Sequence, residues 1–98
     1  MNSKKKGKGG ELEFAKVLRF HGWEARRGVQ YGGGGDAPDL VTNTPFHWEV
    51  KRCEYLAIRD WMAQAERDAA GKPWAIAWRR NSGPWMAILK ANDFLPLL

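Results

Sequence analysis

The sequence predicts a single α/β domain, a mixed sheet with helices packed on it in the order α-β-β-β-α-β-β. Three observations lead there. The chain has 98 residues, 44% hydrophobic and 28% charged, the balance of one globular domain rather than a fibre or a disordered tail. Phe46–Lys51 alternates apolar and polar residues without a break, the period of a β-strand. Two other stretches place apolar residues three and four positions apart, the period of an amphipathic helix.

In chain order, residues 1–10 form a Lys/Gly arm expected to be mobile, and residues 11–98 form the domain. From Glu11 to His21, Leu12, Phe14, Ala15, Val17 and Leu18 make the apolar stripe of a first helix, and Gly22 stands where a helix ends. Trp23–Val29 is expected as a strand. Gly32–Gly35 and Asp36 make a loop closed by Pro38, Leu40 and Val41 open a short second strand, and Thr42–Pro45 is a turn. In the third strand Phe46, Trp48 and Val50 share one face, with His47, Glu49 and Lys51 on the other. Ile58, Met62, Ala65 and Ala69 mark a second helix over 58–70, ended by Gly71 and Pro73. Trp74–Trp78 and Trp85–Leu89 complete five strands, and Phe94–Leu98 is expected as an apolar cap. Trp48, Trp74 and Trp78 suit the core, whereas Trp61 and Trp85 are candidates for a subunit interface.

Composition removes several classes of function. No apolar run approaches the about 18–20 residues of a membrane span. The lysine-rich start is followed by Gly9, Gly10 and Glu11 where a secretory signal would turn apolar. The single cysteine, Cys53, allows neither an internal disulfide nor a cysteine-based zinc site, so a cytoplasmic location is expected. Charge is more informative. The chain carries a net +5, and all of the excess lies in residues 1–30, which hold eight cations and three anions. One basic face fits a polyanionic partner, most commonly nucleic acid.

Acidic residues also stand where a core needs none. Asp39 follows Pro38 at the start of the second strand, and Glu49 and Lys51 share a face of the third, about 6.8 Å apart along it. Glu11 opens the expected first helix, where the partial positive charge of the helix start favours a carboxylate. If the second and third strands pair, Asp39 and Glu49 converge, and two close carboxylates suit a hard cation such as Mg²⁺ or Mn²⁺. A lysine beside that cation could assist a water attacking phosphorus. The same residues also fit a plainer reading, with Glu49 and Lys51 as an exposed charge patch and Glu11 as a helix-start acid. The residues alone leave both open.

Pro38-Asp39 followed by Glu49-Val50-Lys51 resembles the signature of the PD-(D/E)xK nucleases, and the stretch from Lys6-Gly7-Lys8-Gly9-Gly10-Glu11 through Leu18 to Gly22 resembles the first helix of archaeal-type Holliday junction resolvases and their phage relatives. The resemblance extends to the glycine loop, the helix around Met62-Ala63-Gln64-Ala65-Glu66 and Asp93-Phe94-Leu95. It implies a restriction-endonuclease-like core with a five-stranded mixed sheet. It also implies a homodimer that recognises four-way DNA junctions and nicks opposed strands with Mg²⁺, Mn²⁺ substituting, in the cytoplasm (the host's, if the chain is phage-encoded). Carried over by position, Asp39, Glu49 and the Val50 carbonyl would ligate the metal, Glu11 would do so directly or through water, and Lys51 would orient or activate the attacking water. Two departures stand out. The Asp39–Glu49 interval is short for the archaeal members, and Gly32–Gly35 occupies the place of a helper serine.

Lys4, Lys5, Lys6 and Lys8 with Arg26, Arg27 and Arg52 are the expected phosphate contacts, and Gly33 and Gly34 allow close backbone approach to DNA. His47 reads chiefly as a surface partner, and Gln64 reads equally as a supporting site residue or as plain helix surface. The alternatives are another nuclease of the same superfamily, acting on flaps, ends or branched DNA, or a non-catalytic basic DNA-binding module.

Overall fold

The computed structural model describes the backbone of residues 3–28 and 40–98 and the side chains of 9–28 and 40–98. Helix α1 runs over Ser3–Phe20, strand β1 over Ala25–Arg27, β2 over Leu40–Thr42, β3 over His47–Arg52, helix α2 over Ile58–Ala69, β4 over Trp74–Arg79 and β5 over Met86–Leu89; a short helix α3, Ala91–Phe94, and a 3-10 turn, Leu95–Leu97, follow. The mixed α/β architecture is as expected, but the five strands divide. β1 and β2 form an antiparallel pair, while β3, β4 and β5 form a separate sheet in that order, β3 parallel and β5 antiparallel to β4.

Parallel strands need a crossover, and α2 is the one joining β3 to β4. The pleat then decides which residues each helix covers. Trp48 and Val50 face α1 and pack with Phe14, Ala15, Leu18, Leu40 and Ala77. On the opposite face Trp61, Ala65 and Ala69 of α2 pack on Trp74 and Ile76 of β4. The register places Ala75 and Ala77 beside Trp48 and Val50, and the Phe14 ring lies 4.9 Å from that of Trp48 and 5.0 Å from that of Trp85. Each large apolar side chain buried this way contributes about 1.5–3 kcal/mol. Of the two tryptophans expected at a subunit interface, Trp61 is a buried core residue of the protomer, while Trp85 packs half-buried against the α1-side cluster. The C-terminal segment does the reverse of what was expected. Phe94, Leu95, Leu97 and Leu98 cap nothing and lie exposed.

Helix α1 begins at Ser3, so most of the expected arm is helical and Glu11 is an interior helix residue rather than a helix-start acid. The reason lies in a glycine. A Cβ on Gly10 would stand 2.8 Å from Arg52 Cβ and 3.6 Å from Val50 Cγ1, so the bare backbone lets α1 press on β3. Gly22 ends the helix as expected. At φ 92° it accepts the left-handed conformation, with Trp23 N–H donating to Leu18 O and Gly22 N–H to Arg19 O, both at 3.0 Å. Trp23 is consumed by that cap, which shortens the expected Trp23–Val29 strand at its start.

Between β2 and β3 the chain turns around Thr44. Its buried hydroxyl bonds Thr42 Oγ1 at 2.6 Å and accepts from Trp48 Nε1 at 2.9 Å. This turn directs β2 onto β1, and among the described residues no β2–β3 ladder forms. β2 packs beside β3 without the hairpin pairing expected to bring Asp39 to Glu49, and Asp39 itself lies outside the described residues.

At the far end of α2, Glu66 Oε2 accepts from Trp74 Nε1 at 2.6 Å and lies 3.2 Å from Lys90 Nζ. The indole donor first, and Lys90 second, hold this carboxyl below its ordinary value of 4.5. A depressed carboxyl stabilises the fold above its unfolded pKa and loses that contribution as pH falls through the folded one. The stability gap between wild type and Glu66→Gln is therefore expected to be level above about pH 5 and to narrow progressively as pH falls below the ordinary carboxyl value of 4.5, read from urea melts across pH. For Gly10→Ala, a helix-propensity gain of about 1 kcal/mol is opposed by about 1–3 kcal/mol of overpacking, and a net loss of about 1 kcal/mol is expected. A Gly10→Ala protein more stable than wild type would mean that α1 does not press on β3.

Candidate active site

The α2-facing side of β3 carries His47, Glu49 and Lys51. Glu49 is only 2% exposed, alongside Ile76 the largest fully buried side chain among the described residues. Burying a carboxylate without partners costs several kcal/mol. A direct partner is His47, whose Nε2 lies 2.8 Å from Glu49 Oε1, with the two side chains 10% and 2% exposed. With Glu49 ionised its oxygens only accept, and the donor is then Nε2–H.

Lys51 is held from across the crossover. Its Nζ donates to Gln64 Oε1 at 2.8 Å and lies 6.0 Å from the centroid of the Trp61 ring. One turn beyond Gln64, Asp68 places a carboxylate oxygen within 4.8 Å of the ligating atoms of both His47 and Glu49, a group of three that could hold a metal ion. Trp61, Gln64 and Asp68 follow the 3–4 spacing down the side of α2 that lies over β3. A lysine and two acidic groups thus share one strand–helix interface.

The backbone of β3 supplies a further oxygen. His47 N–H donates to Pro73 O at 2.8 Å and Cys53 N–H to Arg79 O at 3.2 Å. Odd-numbered residues of β3 therefore turn their backbone groups to β4, and the even ones turn theirs to the opposite edge. The Val50 carbonyl points to that edge, where no strand ladders onto β3 among the described residues.

Glu11 lies on α1, next to the Gly10 contact with Val50 and Arg52, with its Oε1 3.6 Å from Arg27 Nη2 of β1. Arg26 is exposed, its Nη1 3.4 Å from Arg27 O. Arg52 is engaged inside the fold. It lies beside Arg79 in register, and Glu13 meets both, Arg52 Nε at 3.8 Å and Arg79 Nη1 by a hydrogen bond, while Arg52 Nη1 donates to Asn81 Oδ1 at 2.8 Å. Asp39, Gly33 and Gly34 lie outside the described residues, as do the side chains of Lys4, Lys5, Lys6 and Lys8. The structure thus brings together Glu49, Lys51 and the Val50 carbonyl on one strand. It adds His47, read from sequence as a surface partner, Gln64, left open there, and Asp68, which sequence reasoning passed over. The signal for Gln64 and Asp68 was their i, i+4 spacing beside the buried Trp61 and Ala65.

The described residues thus form a three-layer α/β arrangement, helix on sheet on helix, with a buried carboxylate and a half-buried lysine where α2 meets β3. No protein-family model and no curated protein matches it. Among solved structures it is similar to the 1.6 Å structure of Archaeoglobus fulgidus Hjc, a Holliday junction resolvase from an archaeal hyperthermophile, with a TM-score of 0.64 and 24% identity over 85% of this chain and 76% of that one. At this identity the likeness is one of fold.

The hydrogen bond between His47 and Glu49 sets an expectation for stability. Glu49→Gln keeps the side-chain volume and an oxygen that accepts from His47, and is expected to change stability by less than about 1 kcal/mol. Glu49→Ala leaves a cavity and an orphaned imidazole donor and is expected to cost about 2–4 kcal/mol in urea denaturation.

Proposed function

We propose that the chain is a metal-dependent, structure-specific endodeoxyribonuclease that resolves four-way DNA junctions by paired nicks from a homodimer. The observation that carries this reading is the buried Glu49 carboxylate two residues from a lysine held by Gln64, in a fold similar to that of a solved Holliday junction resolvase. A carboxylate enclosed at 2% exposure on the strand whose next carbonyl turns outward is a hard-oxygen donor set, which fits a hard divalent cation such as Mg²⁺, with Mn²⁺ substituting. Glu49, the Val50 carbonyl and Asp39 would hold the ion, with Glu11 reaching it directly or through water. When bound, it would supply Lewis-acid polarisation of the phosphate and a lowered pKa for a coordinated water.

The chain's own groups do the remaining work. The Lys51 ammonium, fixed by Gln64, would orient the attacking water or offset charge developing on the phosphate oxygens. Glu11, opposed by Arg27, would be kept from collapsing onto the other acids. Arg26 is exposed and supports a phosphate contact, as do Arg27 and the lysines Lys4, Lys5, Lys6 and Lys8, with Gly33 and Gly34 allowing close approach. Arg52, bound to Glu13 and Asn81, is better read as a strut beneath that surface. The exposed Met86, Phe94, Leu95 and Leu97 support a second copy covering that side, and two copies carry twice the +5 of one chain, so binding should fall steeply with salt.

The test is cleavage of a synthetic four-way junction, a flap and a linear duplex with Mg²⁺ or Mn²⁺. Asp39→Asn and Glu49→Gln are each expected to lower junction cleavage at least about 1000-fold while junction binding stays within about threefold. Equal cleavage of flap and junction would remove the junction assignment. No cleavage by the wild type with either metal would leave only a basic DNA-binding module.

A further inference from the structure

We infer that His47 is a positioning residue for the acidic site, fixing the Glu49 carboxylate in one orientation through Oε1. The inference rests on the reading of Glu49 as a metal ligand. It starts from the strand. His47 and Glu49 are two residues apart on one face of β3, so their side chains stand side by side with no backbone rearrangement needed. A glutamate has three side-chain torsions, and a ligand that must meet an ion at about 2.1 Å gains from having them fixed beforehand. The 2.8 Å bond to Nε2 does this, and the imidazole is itself 90% enclosed between β3 and α2. A histidine has two torsions where a lysine or arginine has four or more, so it holds its partner at a smaller loss of side-chain entropy.

The donor role also decides what His47 does not do. Its Nε2 hydrogen points at Glu49, so while this bond stands that nitrogen has no lone pair to give a cation. The rival arrangement is direct coordination of an ion by His47, Glu49 and Asp68 together. The two differ in whether an imidazole nitrogen touches the metal.

Mn²⁺ alone is the probe, titrated into the full chain and followed by the electron paramagnetic resonance of the free ion. His47→Ala is expected to raise the Mn²⁺ Kd about 10–100-fold. His47→Gln, whose amide N–H reaches nearly the same point, is expected to recover most of that loss. Electron spin-echo spectra of the Mn²⁺-loaded wild type are expected to contain no imidazole nitrogen coupling. Should His47→Ala fail to fold by thermal melt, His47→Leu, similar in volume and without a donor, takes its place. Wild-type affinity in the donor-less variant, no recovery by glutamine, or an imidazole coupling would each overturn the inference. Glu49→Gln separates its failure from that of the underlying reading, because unchanged Mn²⁺ affinity in Glu49→Gln removes Glu49 as a ligand, whatever His47 does.

Discussion

A strand covered on both faces has no solvent side on which to leave a charge, and β3 is such a strand. Helix α1 covers Trp48 and Val50, and α2 covers His47, Glu49 and Lys51. The Glu49 carboxylate is therefore a charge in the interior, tolerable only because neighbouring groups are arranged around it. His47 meets one oxygen, and the ammonium two residues on is drawn to Gln64 rather than left to swing. An apolar residue at position 49 would pack as well beside Ile76 at less expense in desolvation. That a carboxylate stands there instead is the strongest physical argument for function in the molecule.

The crossover rule links this charge to the topology. Because β3 and β4 run parallel, the chain must return over one face of the sheet, and α2 lies on the face that carries the charged residues. One helix consequently performs two tasks. Trp61, Ala65 and Ala69 close the core against Trp74 and Ile76, while Gln64 and Asp68, on the flank of the same turns, reach Lys51 and the neighbourhood of Glu49. Displacement of α2 would loosen core and site together.

The parts of this arrangement set by local pattern were legible in the sequence. The alternation of Phe46–Lys51 assigns Glu49 and Lys51 to a common face, and Gly22 and Gly71 stop the helices where expected. Long-range contacts were not legible. Gly10 reads as flexibility until Arg52 and Val50 are seen beneath it, and Glu13 reads as one more anion until it is found between Arg52 and Arg79, side by side on parallel strands. The Thr44 hydroxyl likewise turns β2 toward β1 through bonds to Thr42 and Trp48 that no periodicity foretells. His47 was undervalued for a related reason. A histidine beside a glutamate on an alternating strand looks solvent-facing until a helix is known to cover that face.

The charge asymmetry of the sequence gains a sharper meaning from these contacts. Four of the eight basic residues in the second half of the chain are engaged by side-chain partners, Arg52 and Arg79 by Glu13, Lys51 by Gln64 and Lys90 by Glu66. The excess of cations lies in the first thirty residues, on α1 and β1. These are the elements that carry Glu11 and Arg27 and flank the edge of β3 toward which the Val50 carbonyl points. On the proposed function, a polyanion drawn to that excess would meet α1 and β1 first, the elements whose Glu11 and Arg27 already stand 3.6 Å apart.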